Sequence, residues 1–78
     1  MEGASSMTYT IVLEQADAGS WGAVVPDLPG LLILGDTRDE VVAKAPDAIL
    51  DYIDALRDLG KPIPQPGSST AQVIVPAA

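Results

Sequence analysis

From Thr37 to about Leu59, apolar residues recur at spacings of three and four: Val41, Ala45, Ala48, Tyr52, Leu56 and Leu59, with Ile49 and Ile53 beside them. Such spacing is one stripe of an α-helix, and a helix with one apolar stripe must bury it against another layer. Thr37 with Glu40 three residues on is a capping-box signature, so the helix starts there. Gly60 is placed to end it, and Lys61 lies near the negative end of the macrodipole. Asp47, Asp51, Asp54 and Asp58 repeat at four, three and four along another face. Pro46 falls inside the helix, where it removes a backbone donor and crowds the carbonyl of Val42. The apolar stripe continues across it, which predicts a kink in one helix and not two helices.

The other layer has to come from the short segments around this helix. Met7 to Glu14 alternates, with Met7, Tyr9, Ile11 and Leu13 on one side, the pattern of a strand with one buried face. Asp17-Ala18-Gly19-Ser20 is turn chemistry. Trp21 to Val25 alternates again, with Trp21, Ala23 and Val25 together, so the two segments predict a hairpin. Pro26-Asp27-Leu28-Pro29-Gly30 is a rigid connection: two prolines remove two donors, and Gly30 permits a positive φ. Leu31-Leu32-Ile33-Leu34 is a continuous apolar run, which suggests a strand covered on both faces, the second cover coming from a neighbouring chain. Gly35-Asp36-Thr37 closes that strand and opens the helix. After Gly60, the prolines at 62, 64 and 66 predict an extended connection. Ala71 to Val75 alternates once more, with Val73 and Val75 on one face. The predicted order is β-β-β-α-β, an α+β fold with a small antiparallel sheet packed on one long helix.

Seventy-eight residues make a single domain, read here as 7–76, with 1–6 as a leader and 77–78 as a tail. A chain of this size has a small core and usually needs added support from disulfides, metals or self-association. With no cysteine and no histidine, disulfides, thiolate sites and the commonest metal ligand and general base are all excluded. Self-association, as a dimer or tetramer, is what remains, and the run Leu31, Leu32, Ile33 and Leu34 is the expected contact. Four basic against eleven acidic residues give a net charge of −7. Such a surface repels phosphate backbones, so no direct nucleic-acid binding is expected; it suits a basic partner, or simply keeps the protein soluble. No apolar stretch is long enough to span a membrane, and no secretory signal precedes the fold; a cytoplasmic protein is expected.

Catalysis finds little to work with. Glu14, Asp27 and Asp36 are carboxylates that could be imagined around divalent metals, as a metal nuclease would need. Asp36 and Thr37, however, have a helix start to build, and Asp27 lies in a proline turn. Ser20, Ser68 and Ser69 have no histidine to activate them. Gly30 and Gly35 belong to no phosphate loop. No catalytic residue, metal ligand or cofactor is therefore expected. The partner-binding candidates are the helix carboxylates Asp47, Asp51, Asp54 and Asp58, with Trp21 on the sheet; their plainer reading is a solvated helix face and a half-buried core residue.

The punctuation residues resemble the HicB family. The matching pieces are Tyr9-Thr10-Ile11-Val12-Leu13-Glu14, Ala23-Val24-Val25-Pro26-Asp27-Leu28-Pro29-Gly30, Gly35-Asp36-Thr37 with Glu40-Val41, Ala48-Ile49 to Tyr52-Ile53, and Gly60-Lys61-Pro62-Ile63-Pro64-Gln65-Pro66. Pro-Asp-Leu-Pro-Gly followed at this spacing by Gly-Asp-Thr is the specific part. The resemblance implies a partial ribonuclease-H-like fold, self-association and the role of an antitoxin. The partner it implies is a small basic HicA-like toxin of double-stranded-RNA-binding fold that cleaves messenger RNA. Many family members add a carboxy-terminal DNA-binding domain; with residue 78 as the last, a short form without one is expected. Leu31 and Pro46 stand where relatives often carry cysteine and asparagine. The rival reading is a stand-alone oligomeric HicB-like protein with a regulatory role and no toxin.

Overall fold

The computed structural model describes residues 6–77; the leader expected at 1–6 lies almost wholly outside them. Three strands, β1 (Val12–Gln15), β2 (Trp21–Val24) and β3 (Leu32–Gly35), precede one helix, α1 (Arg38–Asp58). The sheet is antiparallel in the order β1-β2-β3, with Val12 opposite Val24 and Val24 opposite Leu32. The α+β class and the packing of one sheet on one helix are as the sequence predicts.

Three strands are nevertheless shorter or shifted against expectation. β1 begins at Val12 and not at Met7, because its partner β2 stops at Val24, just before Val25-Pro26. Proline has no N–H to give a ladder, so residues 7–11 keep their alternating sequence but have no partner strand. The fifth element is a correction. Ala71 to Val75 forms no strand: the segment pairs with no strand among the described residues, and Val73, Ile74 and Val75 are exposed. Alternation gives a strand its faces, but only a neighbouring strand completes its hydrogen bonds.

The helix carries the expected caps. The Thr37 hydroxyl accepts from the Glu40 amide at 3.1 Å, and the Glu40 carboxylate reaches back to accept from the Asp36 amide at 2.7 Å. At the other end the Gly60 amide donates to Arg57 O and the Lys61 amide to Leu56 O, the paired bonds of a Schellman motif. The helix runs unbroken through Pro46.

The core lies between the helix and one face of the sheet: Ala23, Val25, Leu28, Ile33, Val41 and Ala45 are buried. Leu28, from the proline turn, is wholly enclosed. Tyr9, Ile11, Leu13, Trp21, Ile49 and Tyr52 close the margin. The other face of the sheet has no cover among the described residues: Val12, Val24, Leu32 and Leu34 are all exposed. The apolar run 31–34 is thus covered on the helix side only.

Candidate partner-binding site

The proline turn assigns a separate task to each of its residues. Leu28 plugs the core; its amide donates to Val25 O, and Leu31 N donates back to Leu28 O. The Pro29 carbonyl accepts from the Tyr52 hydroxyl at 2.7 Å, which ties the turn to the helix. Gly30 takes φ +88°, a left-handed conformation that side chains resist. Asp27 reaches forty residues along the chain. Its carboxylate accepts from the Gly67 and Ser68 amides, both at 3.1 Å, and from the Ser68 hydroxyl at 3.0 Å. Those backbone amides, Gly67 first and then Ser68, hold the Asp27 carboxyl below the usual aspartate range. The Tyr9 hydroxyl donates to Pro64 O at 2.6 Å and the Thr10 hydroxyl to Ser68 O at 2.9 Å. The segment after the helix is therefore fastened as far as Ser68.

At the sheet-to-helix junction, Gly35 lies so close to the helix that an added Cβ would stand 3.0 Å from Val41 Cγ2 and 3.2 Å from the Glu40 carboxyl. Glu40 is held below the usual carboxylate range, mainly by the Asp36 amide and then by Lys44. Lys44 bridges to Glu40 at 3.3 Å and donates to the Leu34 carbonyl at 2.9 Å. Asp27, Asp36 and Glu14 do not share a site: Asp27 serves the chain near Ser68, while Asp36 lies at the helix start. Among the described residues no group of three acidic side chains could hold a metal ion.

The expected partner-binding residues fall on two different surfaces. Asp47, Asp51, Asp54 and Asp58 are exposed along one face of α1, and Asp54 has a cation in reach, Arg57 at 3.5 Å. Trp21 is half-buried on β2, opposite Gly35 and Gln15, and contributes to the core margin. Of the expected oligomer contacts, Leu32 and Leu34 are exposed on the open sheet face and Leu31 is half-buried. Ile33 belongs to the core of its own chain at 4% exposure, so it has no surface for a second one. Gly22, between Glu14 and Leu34 on this face, leaves a shallow open hollow of about 280 Å³.

Sequence reasoning passed over a second apolar surface. A groove of about 520 Å³ runs between Met7, Tyr9 and Ile11 on one side and Val42, Pro46 and Leu50 of α1 on the other. The available signal was the pair Val42 and Leu50, apolar residues off the main helix stripe.

Residues 9–76 match the family model described as "HicB_like antitoxin of bacterial toxin-antitoxin system". The chain is 36% identical over 74 residues to Antitoxin HicB 2 of Photorhabdus laumondii, which covers 94% of this chain and 52% of that protein. It is 34% identical over 62 residues to Antitoxin HicB 1 of the same organism, covering 80% of this chain and 40% of that one. A UPF0150 protein of Thermoplasma acidophilum is 32% identical over 59 residues, 76% of this chain and 86% of its own length. The chain thus spans about half the length of the two antitoxins it matches. The match runs through the sheet, the proline turn, the capped helix and the segment clamped by Asp27, and the chain belongs to the HicB-like antitoxin family of bacterial toxin-antitoxin systems.

Proposed function

We propose that this chain neutralises a small, basic, messenger-RNA-cleaving toxin by binding it directly and covering its RNA-binding face. The observation that carries this reading is the exposed stripe Asp47, Asp51, Asp54 and Asp58 on a helix held rigid by caps and core. A protein that binds RNA presents positive charge, and a chain of net charge −7 is its electrostatic complement. Related proteins named as antitoxins support the role. Trp21 is the aromatic candidate for a contact on the sheet. In this reading the chain works by occlusion, without catalytic residue, metal or cofactor, in the cytoplasm where messenger RNA is cleaved.

The test is co-expression with the small basic protein encoded beside this chain's gene. The reading expects the two to co-purify and growth arrest by the basic protein to be relieved. Absence of such a neighbour, or a neighbour that neither arrests growth nor binds, would favour the stand-alone alternative.

A further inference from the structure

The groove of about 520 Å³ between residues 7–11 and α1 is apolar at its floor and acidic on one bank. Ala45 and Ile53 are buried in the floor, while Met7, Val42 and Leu50 stand on the rim at 44%, 42% and 56% exposure. The surface neighbours of a helical residue are those three and four positions away. For Leu50 these are Pro46 and Ile53 on the groove side, and Asp47 and Asp54 on the other. Both carboxylates are exposed. The acidic stripe of α1 and the groove are therefore one continuous surface, joined at Leu50.

Pro46 is exposed on the same wall. It withholds an amide from the Val42 carbonyl and costs the helix stability. Breaks of a local rule are concentrated at functional sites. The opposite wall constrains the shape of an occupant. Tyr9 and Thr10 already donate to Pro64 O and Ser68 O, so an added strand would meet the chain's own segment 64–68. A helix satisfies its backbone groups internally and needs no such edge. From Val42 to Ile53 the helix axis runs about 16 Å, which matches a partner helix of about three turns.

We propose that the groove receives a basic amphipathic helix of the toxin, a contact that rests on the neutralising role given above. Apolar side chains on one face of that helix fill the groove, and a lysine or arginine beside them crosses Leu50 to Asp47 and Asp54. Anchors spaced along one helix face are the usual form of helix-in-groove recognition. The acidic bank selects a basic helix over a neutral or acidic one. In the free chain Asp54 holds Arg57 at 3.5 Å, but both side chains are exposed and the pair is weak enough to exchange. The two parts of the surface have different tasks: the carboxylates speed the approach, and the apolar contact sets how long the complex lasts.

Binding kinetics with the purified small basic protein encoded beside this chain's gene test it, with circular dichroism to check that each variant folds. Val42→Ser/Leu50→Ser changes two exposed side chains and no charge. It is expected to associate at the parent's rate and to dissociate about tenfold faster. Asp47→Asn/Asp54→Asn is expected to associate several-fold more slowly at low salt. Leu32→Ser/Leu34→Ser, on the open face of the sheet, is expected to leave both rates unchanged. If the parent itself does not bind, the neutralising role and this contact fall together. If the parent binds and the groove variant dissociates at the parent's rate, the contact alone is overturned and the role stands. A sheet variant that dissociates fast, beside a groove variant that does not, would place the toxin on the sheet and overturn it too. Light scattering on the chain alone tests the other occupant: a groove variant of lower mass than the parent would give the groove to a second copy, against the proposal.

Discussion

Single residues carry most of what ties distant parts of this chain together. Gly30→Val forces a β-branched side chain into a left-handed backbone and is expected to cost about 1 kcal/mol or more. Thr37→Ala removes the hydroxyl that caps the helix, at about 1 kcal/mol. Thermal denaturation reads both; variants that melt like the parent would contradict the turn and the cap. Asp27 makes a pH prediction. Its carboxyl is held below the usual range by amides that bond the charged form, so what it contributes is fully present above the ordinary aspartate value of the unfolded chain. That contribution is lost as pH falls below the unfolded value and through the lowered folded value. Asp27→Asn is expected to free the segment around Ser68 at neutral pH, and the parent only in acid. Amide exchange at Gly67 and Ser68 follows it; protection unchanged in the variant would mean that the clamp is unimportant.

Elements with local signals were legible in the sequence, and those that depend on distant partners were not. The helix, its Thr37 and Gly60 ends, the hairpin and the apolar run before Gly35 all rest on residues within a few positions of one another, and the structure has them. The length of β1 was misjudged because alternation from Met7 says nothing of where Pro26 ends the neighbouring strand. Ala71–Val75 reads as a strand for the same reason, although no strand among the described residues pairs with it. The Asp27 clamp joins positions forty residues apart, and no periodicity in the sequence announces it. Ile33 shows the limit of a continuous apolar run: burial by the chain's own helix and contact with another chain look alike in sequence. The acidic face of α1 yields an element-scale prediction. Changing Asp47, Asp51, Asp54 and Asp58 together to Asn should leave the helix intact, since like charges at these spacings repel weakly. Association with the basic partner should slow several-fold and its salt dependence should flatten. An unchanged rate and salt slope would move the docking surface to the sheet around Trp21.

At the scale of the molecule, a core of a few residues leaves much apolar surface uncovered for a chain of this size. The open sheet face, the groove beside residues 7–11 and the tail are all apolar, and the helix stripe is acidic. The central claim is neutralisation by direct occlusion, and its most direct measurement is cleavage of a messenger-RNA substrate by the purified basic partner as this chain is titrated in. The account predicts that cleavage falls to background near stoichiometric amounts of chain, and that added salt weakens the protection. Full cleavage in the presence of a large excess of folded chain would contradict it.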